Sequence, residues 1–371
     1  MNNVEVLSLE QAERWDELVY QSEHPDVYWL SGYCALYEAN KEGKAQLFVY
    51  KDESGFVLYP FLLREVHTLP YLQSSQQDSD PKLYDIITPY GYGGPICSLG
   101  EEQDRKALFQ AFEDAFQQYC QQYCIISEFV RFSPFLENEK DYSAVEPMFL
   151  RNTISIPIDR ELDDIMAGFT AHNRNRLRTS FKANLKYRIV DYPNIDTFIA
   201  MYHQTMSRKD AQAYYFFPAT YFHQMFQTLK DNITILEVYN EEEVVVSTAL
   251  FVHMGKGVHY HLGASDPAYL HVSPNNAMMY YAAIHFKEKG YSFIHLGGGY
   301  AGNDSLYRFK KGFNRDEPCS YYVGMKIRHE DWYKELERRL NLESSGEVGY
   351  FPSYRNPELQ VSVLKECEMG V

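Results

Sequence analysis

The stretch GGGYAGNDSLYRFKKGF, from Gly297 to Phe313, carries the most specific pattern in this chain. Its three glycines end an apolar strand and a polar turn follows. Asp304 is then placed to cap a short helix, because its carboxylate can accept hydrogen bonds from the backbone of the first turn. At 3.6 residues per turn, one face of that helix carries four side chains: Leu306, Phe309, Lys310 and Phe313. Lys310 is therefore predicted on the face that packs.

A lysine on a packing face has two interpretations. Its stem can pass Phe309 and carry the ammonium to water. Alternatively, the ammonium meets a developing negative charge beside Gly298 and Gly299, whose bare backbone lets a reacting group come close. The second interpretation makes Lys310 a candidate catalytic residue. It makes Gly298, Gly299 and Phe309 candidates for substrate binding.

The F-K-x-x-F ending of this stretch resembles the closing signature of the Fem-type (FemAB-like) peptidyltransferases and their relatives in the GNAT acyltransferase superfamily. Three further segments resemble the same group in the same order: YDIITPYGYGGPI (Tyr84–Ile96), VRFSPFLEN (Val130–Asn138) and HNRNRLRTSFKANLKYRIV (His172–Val190). The resemblance implies an α/β fold of two tandem GNAT-like mixed-sheet domains. It also implies acyl or aminoacyl transfer, with Lys310 at the reaction centre.

Length and composition indicate a folded protein with more than one core. The 371 residues exceed the usual size of a single core, and 45% hydrophobic with 23% charged residues is ordinary for a globular protein. No apolar run approaches the ~20 residues of a membrane span, and the acidic N-terminus lacks a secretion signal. We therefore expect no integral membrane segment and a cytoplasmic location. The six cysteines are scattered, so no metal site and no bound cofactor are expected.

Charge is spread unevenly along the chain. The net charge of −16 argues against a protein that coats DNA. Between Asp164 and Asp191, however, no acid occurs among six basic residues: Arg174, Arg176, Arg178, Lys182, Lys186 and Arg188. A helix predicted over Arg174–Lys186 places every fourth residue on one side, and we call Arg174, Arg178 and Lys182, with Lys186, the basic stripe. The stripe is a candidate phosphate-binding surface, and a solvated helix face is the alternative.

The two halves of the chain repeat one order of elements: hairpin, strand, helix and strand. The hairpins are predicted over residues 45–66 and 232–254, whose arms are rich in strand formers. The repetition predicts an internal duplication of one α/β unit. We expect an N-terminal, acceptor-binding domain over residues 1–150 and a C-terminal domain with the signature over 151–330. Residues 331–371 form a tail with one helix.

The segment YGYGGP, Tyr90–Pro95, combines two tyrosines with three glycines. Glycine has no side chain, so a ligand can come close to the backbone. The rings of Tyr90 and Tyr92 can cover a sugar, and their hydroxyl groups can hydrogen-bond a pyrophosphate. With Gly93, these residues are candidates for acceptor binding. A tight structural turn is the alternative.

The general base is the least constrained part of the predicted site. His259 and His261 alternate on a strand and share one face, although buried structural histidines are common. Asp304 is a catalytic candidate as well as a cap, Asp85 is a further candidate, and solvent can also take the proton.

The acyl donor stays open between acyl-CoA and aminoacyl-tRNA. Ordinary GNAT enzymes hold the coenzyme A pyrophosphate with a glycine-rich loop, whereas Ser265–Asn276 contains no glycine. A helix N-terminus can still hold phosphate. The acidic net charge and the lack of a long helical hairpin argue against a charged tRNA as the donor.

Three functions follow from these expectations. The first is transfer of an aminoacyl or other acyl group to an amine of a phosphate-bearing cell-wall (peptidoglycan) precursor or related glycoconjugate. The second is coenzyme A-dependent N-acylation of an amino sugar in surface polysaccharide synthesis. The third is an inactive GNAT-fold binding protein.

Overall fold

The computed structural model describes residues 3–72, 80–208, 216–300, 302–342 and 350–359. The chain divides into two compact units. Unit 1 comprises Met1–His24, Tyr28–Leu150 and Tyr322–Val371. Unit 2 comprises Pro25–Val27 and Arg151–Tyr321.

The strands in chain order are β1 (Val4–Leu7), β2 (Lys44–Lys51), β3 (Phe56–Glu65), β4 (Tyr84–Ile87), β5 (Ile96–Cys97), β6 (Ile125–Arg131), β7 (Pro147–Pro157), β8 (Lys186–Val190), β9 (Ile233–Tyr239), β10 (Val245–Met254), β11 (Gly257–Ser265), β12 (Phe293–Gly297) and β13 (Cys319–Ile327). The α-helices are α1 (Ala12–Tyr20), α2 (Ser31–Ala39), α3 (Glu102–Gln122), α4 (Leu162–Gly168), α5 (Ala171–Lys182), α6 (Asp196–Arg208), α7 (Ala219–Leu229), α8 (Pro274–Glu288), α9 (Ser305–Lys311) and α10 (Glu330–Arg339).

The sheet of unit 1 has the order β1-β2-β3-β4-β6-β13. Strands β1 to β4 pair antiparallel, and β5 adds a short antiparallel pair to β3. Strand β4 pairs parallel with β6, and β6 pairs antiparallel with residues 323–327 of β13. Helix α3 lies between β4 and β6 in the chain, because parallel neighbours need a long crossover.

The sheet of unit 2 has the order β8-β9-β10-β11-β12-β7. Strands β8 to β11 pair antiparallel, β11 pairs parallel with β12, and β12 pairs antiparallel with β7. Helix α8 is the crossover between the parallel strands. The first five strands, their pairing directions and the place of the crossover helix match those of unit 1. The sixth strand pairs antiparallel in both units, but β13 follows β6 in the chain whereas β7 precedes β8. The predicted duplication of one mixed-sheet α/β unit is confirmed.

Helix α5 differs from the predicted helix over Arg174–Lys186. It begins at Ala171, where the side chain of Thr170 accepts from the backbone N–H of Asn173. It ends at Lys182 because Asn184 has a positive φ of 49°, a conformation that stops a helix. Lys186 starts β8 instead, so it is not part of the basic stripe.

The two faces of the unit 2 sheet are covered by different helices. Helix α8 packs on one face, where Ala282 and Phe286 share a buried cluster with Val258 and Ile294. Helix α6 packs against β11, and its buried aromatic residues lie outside that cluster. Side chains that alternate with Val258 and Ile294 therefore face away from α8.

The C-terminal residues complete unit 1. Tyr333 and Leu336 of α10, with Tyr354, pack into a buried cluster around Val66 and Ile126. The predicted division assigned residues up to 330 to the second domain, whereas the chain returns to unit 1 from Tyr322 onward. Parts of the predicted tail, residues 343–349 and 360–371, lie outside the described residues.

Candidate active site

The parallel strands β11 and β12 separate at their carboxyl ends. Their ladder runs from the pair Gly257/Phe293 to the pair His259/His295. Beyond that pair β11 continues to Ser265 while β12 ends at Gly297. Ligands of open α/β sheets bind at the carboxyl ends of strands, so this opening is the place where a substrate can enter the sheet.

Lys310 lies at the end of β12. Its ammonium donates a hydrogen bond of 2.8 Å to the carbonyl oxygen of Gly298, and its side chain is partly buried. Phe313 is buried and Phe309 is partly buried, as predicted. Leu306 is 40% exposed, and Tyr307 is buried in its place. The predicted stripe was wrong at Leu306, which lies in the first turn of a helix of only seven residues, ahead of the core.

Asp304 caps α9. One carboxylate oxygen accepts from the backbone N–H of Tyr307 at 2.8 Å and the other accepts from that of Tyr300 at 2.7 Å. This arrangement satisfies two backbone donors at the helix start. Its catalytic role stays a prediction.

The glycines after β12 are approached by the protein's own atoms. A Cβ at Gly298 would lie 2.7 Å from the carbonyl oxygen of Asn152, and one at Gly299 would lie 2.4 Å from Oδ1 of Asp304. Arg151 donates to the carbonyl oxygen of Gly299 at 2.8 Å. These contacts brace the turn that holds Lys310. The sequence did not indicate this role for Arg151, which lies in the strand-forming segment that becomes β7.

His259 lies at the last pair of the ladder and contacts two titratable residues. Its Nε2 lies 2.9 Å from Oδ2 of Asp26, and its Nδ1 lies 3.3 Å from Nδ1 of His295. Burial, His259 and the charge of Lys310 lower the pKa of His295 well below its usual range. Burial and His259 lower the pKa of His261 to about 4. Sequence reasoning considered His259 and His261 but missed His295 and Asp26.

The structure contradicts the prediction that Asp85 is a general base. Its side chain is fully buried and accepts from Arg64 at 2.6 Å, from the guanidinium of Arg355, and from Tyr354 at 3.1 Å. These contacts make Asp85 part of a structural ion pair with Arg64 and Arg355. Local sequence did not indicate these partners.

The residues of the basic stripe differ in their surroundings: Arg174 is bonded to the backbone, whereas Arg178 and Lys182 are exposed. Arg174 donates to the carbonyl oxygens of Phe169 and Ala167 and so braces the start of α5. Arg178 and Lys182 are exposed, and Arg178 bonds Asn175 within its own helix at 2.8 Å. The backbone N–H of Thr170 donates to the carbonyl oxygen of Gly312, so α5 begins beside the end of α9.

Tyr90, Tyr92 and Gly93 belong to unit 1, in a turn held by several side chains. The hydroxyl of Tyr33 donates to the carbonyl oxygen of Tyr90 at 2.8 Å, and Asn138 donates to that of Gly93 at 2.8 Å. The ring of Tyr92 contacts Tyr28 edge to face, whereas the side chain of Tyr90 is 41% exposed. The turn is therefore structural in its backbone, and Tyr90 keeps an accessible ring.

Helix α8 begins without a side-chain cap. Around its first turn, within the described residues, two buried polar atoms have no hydrogen-bond partner: Ser273 Oγ and Asn276 Nδ2. Both carry O–H or N–H donors. A helix start with buried donors is suited to an anion, and phosphate is the usual one.

In the part of the chain that the structure describes, no group of three or more His, Cys, Asp or Glu side chains is arranged to hold a metal ion. No helix among these residues is long and apolar enough to cross a membrane.

Residues 171–311 match the family model of an acetyltransferase (GNAT) domain. This segment is an acyltransferase domain. It includes α5, the opening between β11 and β12, and Lys310. A search of curated protein sequences finds no match to the chain.

Solved structures share the fold over nearly the whole chain. The crystal structure of FemX is 15% identical, covers 90% of this chain and 100% of its own, and has a TM-score of 0.65. A conserved protein of unknown function from Bacteroides thetaiotaomicron is 10% identical, covers 87% and 99%, and has a TM-score of 0.53. L-PGS from Bacillus licheniformis is 14% identical, covers 84% and 90%, and has a TM-score of 0.51. At these identities the likeness establishes the fold.

Proposed function

We propose that this chain transfers an acyl group from a coenzyme A thioester to an amine of a cell-wall precursor or related glycoconjugate. The position of Lys310 carries the proposal. Its ammonium is bonded to Gly298 at the end of β12, where β11 and β12 separate. That opening is where an extended thioester arm can lie against unpaired strand edges.

The chemistry needs few protein groups. The attacking amine must be neutral, the thioester carbonyl must be close to it, and the oxyanion that forms on attack must be stabilised. Holding both substrates together supplies much of the rate. The ammonium of Lys310 supplies fixed positive charge for the oxyanion, which is a large contribution in a site that excludes water.

The start of α8 favours coenzyme A over a charged tRNA as the donor. Donors at Ser273 and Asn276 are buried at the helix start and would be satisfied by phosphate oxygens. They take the place of the glycine-rich loop that the sequence lacks. The exposed Arg178 and Lys182 of unit 2 support an acceptor that carries phosphate.

The test is a transfer assay with separate donors and acceptors. Acetyl-CoA and alanyl-tRNA are each incubated with a UDP-linked muramoyl pentapeptide and with a UDP-linked amino sugar, and products are identified by mass spectrometry. We expect acylation of a UDP-linked amine by acetyl-CoA. Transfer from alanyl-tRNA alone would overturn the assigned donor. Binding of the UDP-linked compounds without transfer from either donor would favour the inactive binding protein.

A further inference from the structure

Three titratable side chains of unit 2 form a buried chain of contacts. Asp26, His259 and His295 are joined by distances of 2.9 Å and 3.3 Å. The side chains of His259 and Asp26 are 3% and 10% exposed, and His295 is 2% exposed. Buried polar groups persist only where their hydrogen bonds are satisfied. These contacts hold the three side chains in one buried arrangement.

The chain of contacts lies at the base of the opening. His259 and His295 form the last pair of the β11/β12 ladder before the strands separate. Their side chains face away from α8, since Val258, Ile294 and Leu296 face it. The start of α8, assigned above to the donor phosphates, is thus on the other face of the sheet. The histidine pair lies where the two strands separate, on the face opposite the start of α8.

The contacts determine where the protons are. The carboxylate of Asp26 only accepts hydrogen bonds, so Nε2 of His259 carries a proton. In neutral His259, Nδ1 is then the acceptor, and Nδ1 of His295 must donate to it. Neutral His295 consequently has its lone pair on Nε2. This tautomer follows from the hydrogen bonds alone.

We propose that His295 accepts the proton of the attacking amine at Nε2, and that His259 and Asp26 take over the resulting charge. The inference rests on the proposed function. The nitrogen that attacks the thioester carbonyl loses one proton to Nε2 of His295. The Nδ1 proton of His295 passes to Nδ1 of His259, which becomes an imidazolium paired with the carboxylate of Asp26. The C–N bond forms as this proton leaves the nitrogen. When the tetrahedral intermediate collapses, its C–S bond breaks and coenzyme A leaves as a thiolate. The thiolate takes a proton from Nε2 of His295, and the Nδ1 proton of His259 returns to Nδ1 of His295, so that the products are the amide and the free thiol and both histidines are neutral again.

Lys310 gives the direction of this transfer. Its positive charge acts on His295 and lowers the pKa of that imidazole, together with burial and His259. A positive charge on His295 would therefore be repelled from the reaction centre, whereas on His259 it meets Asp26 at 2.9 Å. His295 is the catalytic residue of this scheme, and His259 and Asp26 are positioning residues.

Other groups near the pair belong to neighbouring elements. Burial, His259 and Lys310 lower the pKa of His295, and burial, with His285, His259 and Lys289, lowers the pKa of His253 to about 4. On β11 itself, His261 interacts with His259. Helix α6, packed against β11, buries Tyr202. These groups are unchanged in an Asp26→Asn variant. A change in the titration of the histidine pair in that variant therefore reports the loss of the Asp26 carboxylate.

The first test needs no substrate. In ¹⁵N-histidine NMR of the full chain, we expect neutral His259 to carry its proton on Nε2 and neutral His295 on Nδ1. In Asp26→Asn the amide oxygen can still accept from Nε2, but the anion is lost. Protonation of the pair should then move to lower pH by about 1–3 pH units. An Nε2 proton on His295, or an unmoved titration, would overturn the relay whether or not the chain transfers acyl groups.

The second test is kinetic, with acetyl-CoA and the amine identified in the transfer assay. His295→Gln should lower kcat by about 10²–10⁴-fold with little change in the KM for acetyl-CoA. Asp26→Asn should lower kcat less and move the acid limb of the pH profile downward. His253→Gln is the matched control, because this buried histidine bonds Thr234 and Tyr291 instead, and it should keep kcat. Full kcat in His295→Gln would refute the relay, whereas absent transfer in the wild type, with the expected tautomers, refutes only the proposed function.

Discussion

At the scale of single residues, Lys310 combines a structural contact with a charge at the end of β12. One of its three N–H groups is bonded to the carbonyl oxygen of Gly298. The contact holds the ammonium in place, which is what electrostatic stabilisation of an oxyanion requires. A lysine kept only for structure would contribute to stability and not to turnover.

Replacing Lys310 by Met tests this role. Methionine keeps the length of the side chain and can pack beside Phe309 and Phe313, so the melting temperature should change little. The rate constant should fall by about 10²–10³-fold, as for loss of an oxyanion donor. Lys311→Met, on the same helix as Lys310, is the control, since Lys311 donates to the carbonyl oxygen of Asp316 after the helix. Full activity in Lys310→Met, or an equal loss in the control, would contradict the mechanism.

Asp304 is tested by two substitutions that separate capping from catalysis. Asp304→Ala removes the acceptor of the Tyr307 N–H and should cost about 0.5–2 kcal/mol of stability, measured by urea unfolding. Asp304→Asn keeps an acceptor oxygen at the cap and should retain stability. If Asp304 also takes a proton in the reaction, the Asn variant is folded but inactive. An active Asn variant would restrict Asp304 to capping.

At the scale of elements, α5 carries arginines with different surroundings. Arg174 is bonded to the backbone before the helix, whereas Arg178 is exposed and bonds only within it among the contacts described. The start of α5 meets the end of α9 through Thr170 and Gly312. The helix therefore joins the basic stripe to the turn that holds Lys310.

Charge reversal at Arg178 tests the stripe. Arg178→Glu should weaken binding of a UDP-linked muramoyl pentapeptide, measured by calorimetry, without a change in melting temperature, because a phosphate contact is replaced by repulsion. Arg176→Glu makes the same change of charge on the same helix but lies away from the stripe, and it should affect binding less. Equal effects of the two variants would indicate general electrostatics and not a site.

At the scale of the whole molecule, unit 1 joins residues that precede unit 2 in the chain to residues that follow it. Arg328 donates to Glu128, 200 residues away, at 2.6 Å and 2.8 Å, and both side chains are buried. Tyr59 and Tyr142 also donate to Glu128. Arg355 reaches Asp85 in the same way. Unit 1 is therefore complete only after unit 2 has been synthesised.

Breaking the Arg328–Glu128 pair should destabilise the protein strongly. Arg328→Met leaves a buried carboxylate without its cation, which costs about 3–5 kcal/mol in comparable cases. The exposed pair of Arg14 and Glu5 provides the control, and Arg14→Met should change the urea midpoint little. A small effect of Arg328→Met would mean that Tyr59 and Tyr142 satisfy Glu128 without the cation.

Local patterns predicted the hairpins, the crossover helices and the duplication, because strand alternation and helix periodicity depend on residues a few positions apart. They also predicted Lys310 beside the glycine backbone, since twelve residues and one short helix separate Lys310 from Gly298. The partners of the buried charges, in contrast, follow from the tertiary structure. Asp26 meets His259 across 233 residues, and Asp85 meets Arg355 across 270. Such pairs depend on which strands become neighbours, and no local pattern contains that information.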